Sequence, residues 1–172
     1  MQNVALLRGI NVGGRTIPVA ELKVVFSEMD LDNVKTVLQT GNVIFSSDRS
    51  LSSLKQLIEA ALSERFNYPA HVHVHRMVQL RQIVEASPFE GTDSRTHSYV
   101  VFFVDGLEQK LMAEAKDLDS KVESIEVGDG VVYWQVVKGN TLQSSFAKYL
   151  TKARYRGFHT NRNINTLRKI LG

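Results

Sequence analysis

The chain has no cysteine among its 172 residues. That excludes a disulfide framework, a thiol nucleophile and any thiolate metal site. It also lacks an apolar stretch near the roughly 20 residues of a membrane span, and no early apolar run joins a basic leader to a small-residue cleavage site. A soluble, cytoplasmic protein with no membrane partner is expected. Low-complexity segments are absent as well. Acidic residues are missing from one region only: Val131 to Gly172 holds none of the 18 acidic residues but eight of the 21 basic ones. A net charge of +3 therefore hides a basic terminal segment on an acidic body, which points to an anionic partner, nucleic acid or a phosphorylated small molecule.

What is present is ordinary for a globular protein, with 43% hydrophobic and 23% charged residues. "NVALLRG" reads as an apolar strand. Pro18 suits the first turn of a helix carrying Val19, Leu22, Phe26 and Met29 on one face. "VKTVLQTGNVIFSS" reads as a hairpin turning at Thr40-Gly41-Asn42, because glycine and asparagine tolerate positive φ. A helix with Leu54, Leu57, Ile58, Ala61 and Leu62 on one face follows, and then the alternating strand "AHVHVHR". This is the ferredoxin-like order β-α-β-β-α-β.

After a connecting helix from about Val78 to Ala86, the order β-α-β-β-α recurs: "HSYVVFFVDG", "LEQKLMAEAKDL", a hairpin at Gly128-Asp129-Gly130, and "TLQSSFAKYL". The last stretch, "TKARYRGFHTNRNINTLRKILG", reads as an irregular basic segment and a final helix from Ile164 to Leu171, with no clear sixth strand. The expectation is an α+β fold of two ferredoxin-like (βαββα-type) halves with antiparallel sheets and a C-terminal helix. The parts are 1–76, a connecting helix and loop at 77–96, a second half at 97–150 and a basic segment at 151–172.

The stretch richest in chemistry is "LLRGINVGGRT". Gly9 to Thr16 differs by one residue from the phosphate-binding loop G-x-x-x-x-G-K-S/T, with Arg15 in place of lysine. Thr16 precedes the helix start at Pro18 by two residues, and the antiparallel hairpin that follows does not suit the parallel sheet to which that loop belongs. "YVVFFVD", ending in Asp105, has the form of a Mg²⁺-holding strand, but it is more simply the turn leaving a strand. Arg8, Arg15 and the backbone of Gly13 and Gly14, between a strand end and a helix start, remain fit to hold an anion without the full motif.

His71, His73 and His75 project from one strand face, roughly 7 Å apart at every second residue. A solvent-facing polar side, with Val72 and Val74 turned inward, explains them without metal, and neither a metal nor a cofactor is expected. No serine stands in a nucleophile-elbow context and no carboxylate pair is marked by spacing, so no catalytic residue is assigned. The terminal stretch interleaves Lys148, Lys152, Arg154, Arg156 and Arg162 with Tyr149, Tyr155, Phe158 and His159. Cations for phosphates and aromatics for bases are how single-stranded nucleic acid is held, often on a ferredoxin-like sheet. No aromatic RNP-type motif stands on a strand, and packed terminal helices show the same composition.

"LLRGINVGG", "PVAELK", "QTGNVIFSS" and the terminal "TNRNINT" resemble the signatures of a bacterial family known as domain of unknown function 1697. The resemblance spans essentially the whole chain and implies an α+β fold with two ferredoxin-like halves, and no established activity, substrate or cofactor. Ile164 stands where that family often has tryptophan, and Arg15 where lysine is usual.

The sequence thus leads to an anion-binding protein, for nucleic acid or a nucleotide. Its site would draw on Arg8, Asn11, Gly13, Gly14 and Arg15 of the loop, Asn42 of the hairpin, and Arg154, Arg156, Arg162 and Asn163 of the terminal segment. An enzyme acting on a phosphorylated small molecule and a structural module that oligomerises through edge strands are the alternatives.

Overall fold

A computed structural model describes residues 1–10, 16–39, 41–104 and 106–172. The chain divides into two compact units, one built on Met1–Leu80 and the other on Arg81–Ile170.

The first unit runs β1 (Gln2–Arg8), α1 (Val19–Ser27), β2 (Asp32–Val37), β3 (Asn42–Ser46), α2 (Leu51–Phe66) and β4 (His71–Arg76). Its four strands form an antiparallel sheet in the order β2-β3-β1-β4. Side chains alternate across a strand, so Ala5 and Leu7, Val43 and Phe45, and Val72 share one face and form a core with α1 and α2 through Leu22, Phe26, Leu54, Ile58 and Leu62. Ser50 caps α2 by accepting a hydrogen bond from the Ser53 amide at 3.2 Å, and Asn67 ends it in the left-handed conformation. At the β2–β3 turn, Gly41 has φ +74, and a Cβ there would lie 2.5 Å from Ile10 Cδ1 and 3.1 Å from Leu7 Cβ. Glycine is required both for the conformation and for the approach to β1, whose Leu7 amide donates to the Gly41 carbonyl at 2.8 Å.

The helix α3 (Met77–Glu85) leads to β5 (Thr96–Phe103), α4 (Leu107–Glu114), β6 (Glu123–Val127), β7 (Val131–Val137), α5 (Ser145–Thr151), β8 (His159–Asn163) and α6 (Ile164–Leu171). The second sheet is antiparallel in the order β6-β7-β5-β8, the same as the first with β5 to β8 replacing β1 to β4. Val101, Phe103, Val132, Trp134 and Val136 pack on Leu111, Phe146, Leu150 and Tyr155. Glu123 is buried at the heart of this core, where it accepts from Trp134 Nε1 at 2.9 Å and from the Phe146 amide, in the first turn of α5, at 3.0 Å. On the opposite face Tyr133 donates its hydroxyl to the Ile83 carbonyl at 2.7 Å, which ties α3 to the sheet.

Two expectations are corrected. The stretch with no clear sixth strand contains β8, which pairs with β5 from Tyr99↔Asn163 to Phe103↔His159, so the second unit is a complete βαββαβ repeat. "HTNRN" has no apolar alternation, and its pairing comes from the free backbone edge of β5 instead of its own side chains. The histidine face of β4 is also not the solvated side of the sheet. It is shared with Val4, Leu6 and Ile44, which are buried. His71 remains exposed, whereas His75, opposite Val4, is enclosed enough that burial pushes its imidazole down to about 4. Val72 and Val74 do turn to the helix-covered core.

Candidate functional site

The loop that the sequence singles out leaves β1 at Arg8, with Gly9 at φ +73. Asn11, Gly13, Gly14 and Arg15 lie outside the described residues, as does Asp105. The two ends of the loop are anchored: Ile10 and Ile17 are buried in the first core. Pro18 stands at the N-cap of α1 in an extended conformation, its carbonyl accepting from the Leu22 amide at 3.0 Å. Arg8 is half-buried opposite His71 of β4. Asn42 begins β3 with its side chain buried, donating to the Val37 carbonyl across the hairpin at 3.0 Å. That bond holds the turn closed.

The remaining candidates belong to the second unit. Arg154 is paired with Glu114 of α4 and stands 5.4 Å from the ring of the buried Tyr155. Lys152 places its ammonium 3.8 Å above the Tyr149 ring. Lys148, Lys152 and Arg156 are exposed, and Phe158 is 48% exposed although it is a large aromatic. Turns occupy 153–157, so Arg156 lies outside any helix or strand. Both faces of each sheet carry buried residues: Val4 and Leu6 in the first, and Val100, Phe102 and Tyr133 in the second, lie opposite the helix-covered cores.

Arg162 and Asn163 have local partners. Arg162, on β8 opposite Val100, is buried and donates through Nη1 to Thr160 Oγ1 at 2.8 Å and to the Asn161 carbonyl at 2.9 Å. Burial pushes its guanidinium down to about 10, which leaves it charged at neutral pH. Asn163 caps α6 by accepting from the Asn165 amide at 2.9 Å, and it donates to Thr92 Oγ1 at 2.6 Å. The terminal motif is thus a clasp that binds the segment after α3 to the last strand and helix.

Beside the clasp lies a pocket of about 460 Å³ that includes Phe89, Glu90, Gln135, Asn165 and Arg168. None of these five is marked by sequence reasoning as a ligand contact. The one signal was Asn165 inside "TNRNINT", two residues after the capping asparagine. Among the described residues, no group of three or more His, Cys, Asp or Glu side chains is placed to hold a metal ion, and no helix is long and apolar enough to cross a membrane.

The architecture defines the class: an α+β protein made of two βαββαβ repeats with antiparallel sheets, closed by a C-terminal helix. A family model described as protein of unknown function (DUF1697) matches residues 1–133, and the chain belongs to that family. The structure is similar to that of the conserved bacterial protein SP0830 from Streptococcus pneumoniae. The TM-score is 0.80 at 25% sequence identity, over 99% of this chain and 96% of that one. No curated protein matches the chain.

Proposed function

We propose that the protein binds an anionic ligand of the nucleic-acid class through the exposed turn that follows α5. The observation that carries this reading is the association of Lys148, Lys152 and Arg156 with the exposed ring of Phe158, in a region that contains no acidic residue from Val131 onward. The cations supply phosphate contacts, and Phe158 supplies a stacking surface for an unpaired base. Arg154, paired with Glu114, positions the turn and contributes less to the ligand. Asn42, Arg162 and Asn163 serve the fold in this reading, because each already satisfies a backbone or side-chain partner. The loop carrying Arg8, Asn11, Gly13, Gly14 and Arg15 is proposed as a second contact for phosphate.

The test is fluorescence anisotropy with a short single-stranded oligonucleotide across a salt series. Affinity should fall steeply with salt, with a log–log slope of about −0.7 for each phosphate neutralised. Replacing Lys152 and Arg156 together by alanine should weaken binding and flatten the slope by about 1. Phe158→Ala should weaken binding while leaving the slope unchanged. Absence of binding at low salt, or an affinity insensitive to salt, would remove this reading.

A further inference from the structure

The pocket beside the terminal clasp is built within the second unit and carries both signs of charge. Arg168, on α6, lines it, and its guanidinium has no hydrogen bond or ion pair among the described residues. Glu90 and Asp93 line the same pocket, and neither forms an ion pair with Arg168. Opposite charges thus share one concave space without neutralising each other.

The wall is rigidly held. Gly91 has φ +145, and a Cβ there would sit 2.8 Å from Arg168 Nη1 and 3.0 Å from Asn165 Oδ1. The Gly91 backbone therefore lies directly against the guanidinium and the carboxamide, in a positive-φ conformation that favours glycine. Ser98 Oγ donates to the Gly91 carbonyl at 2.8 Å, and Thr92 Oγ1 accepts from the Ser98 amide at 3.2 Å and from Asn163 Nδ2 at 2.6 Å. Asp93 Oδ1 accepts from the Arg95 and Thr96 amides, each at 2.7 Å. Those bonds, that from Thr96 foremost, hold its carboxyl below the usual range and keep it anionic. A wall ordered before binding loses little entropy when a ligand arrives.

We propose that this pocket binds a small zwitterion of the α-amino-acid class, whose carboxylate meets Arg168 and Asn165 while its ammonium faces Glu90 and Asp93. A bare anion would meet two carboxylates, and a bare cation would meet an unpaired guanidinium. A ligand carrying both charges complements the two. The volume of about 460 Å³ lies within the range of small-molecule sites, and Phe89 provides an apolar surface for the ligand's side chain. The same chemistry occurs at the two ends of a short peptide. This inference does not depend on the nucleic-acid reading, which concerns another surface of the same unit.

The experiment is titration of the full chain by calorimetry and by amide NMR. The probes are glycine, L-alanine, L-glutamate, L-lysine and diglycine, with acetate, inorganic phosphate and 1,4-diaminobutane as single-charge controls. Saturable binding of one or more zwitterions, with shifts at the Gly91, Thr92 and Asn165 amides and weaker binding of every control, is the expected result. Diglycine binding more tightly than the free amino acids would assign the site to a peptide; the reverse would assign it to a metabolite. Arg168→Gln should weaken the zwitterion at least about tenfold, the loss of a charge-assisted contact, and Glu90→Gln should weaken it several-fold. Both side chains are exposed, so the variants should keep the far-ultraviolet spectrum of the parent. Zwitterions that bind no tighter than acetate, phosphate or the diamine, or an Arg168→Gln variant that binds as the parent does, would overturn the proposal.

Discussion

Between β1 and α1 the first half uses ten residues, Gly9 to Pro18, whereas the topologically equivalent connection of the second half, β5 to α4, takes only Val104 to Gly106. The situation reverses at the last connection of the repeat. Asn67 to Ala70 suffices between α2 and β4, whereas Lys152 to Phe158 lies between α5 and β8. The sheets and helices that the two halves share are occupied with burying their own cores, Phe26 against Phe45 in one and Trp134 against Phe146 in the other. Each half is free to vary where its long connection falls, and the candidate contacts cluster there. A duplicated scaffold with unlike loops is how one fold comes to offer two different surfaces.

The sharpest way to separate the halves is through Glu123, which has no counterpart in the first core among the described residues. Glu123→Ala leaves the Trp134 indole and the Phe146 amide as buried donors without an acceptor, and should cost about 4 kcal/mol. Trp134 is the chain's only tryptophan, so urea unfolding followed by its fluorescence reports on the second core. A midpoint unchanged by Glu123→Ala would mean that this bond network does not hold that core together.

The edge strands supply the next contrast, since each places an ionisable side chain opposite a valine, partly enclosed in one case and buried in the other: His75 opposite Val4, and Arg162 opposite Val100. Burial lowers His75 from its ordinary 6.5 to about 4. As pH falls through 6.5 the unfolded chain takes up this proton before the folded one, so stability decreases below pH 6.5, and the loss is complete below pH 4. It amounts to about 3 kcal/mol. Arg162 stays charged throughout that window, so it adds nothing to this slope. His75→Asn should remove that part of the acid dependence in urea titrations at pH 7 and pH 4.5; an undiminished slope would place its source elsewhere.

The hairpin glycines give a smaller difference. Gly41 and Gly130 both have positive φ, +74 and +68, but a Cβ meets Ile10 and Leu7 at the first and nothing within 4 Å at the second. Gly130→Ala should therefore cost about 1 kcal/mol of backbone strain, and Gly41→Ala about 2 kcal/mol more, because it also overpacks the approach to β1. Equal melting temperatures for the two variants would break that distinction. The smallest effect expected belongs to the basic turn. Lys152→Ala alone should lower oligonucleotide affinity only a few-fold and leave stability within about 0.5 kcal/mol, as exposed substitutions usually do.

How much of this was readable beforehand depended on range. The β-α-β-β-α order of each half was legible because the periodicity of Leu54, Ile58 and Leu62, or of Ala5 and Leu7, is written along the chain. The glycine at 41 was legible as a turn, though its contact with Ile10 was not. β8 was invisible because His159 to Asn163 carries no apolar pattern and is a strand only by virtue of its neighbour. Arg162 looked like a surface cation among other cations, and only the register opposite Val100 buries it. The zwitterion pocket joins residues from 88 to 168, so no local spacing could announce it.

The amino-acid sequence by itself determined the two-fold repetition of strands and helices, the lack of thiol chemistry, and the absence of acidic residues from the last part of the chain. The tertiary structure alone decided which cations are spent within the fold and which remain exposed, that the histidine face of β4 is shared with buried valine and leucine, and that Arg168 and Glu90 line one cavity unpaired. The division follows from physics: periodicity and turn chemistry act over a few residues, whereas burial and pairing are properties of residues brought together from distant parts of the chain.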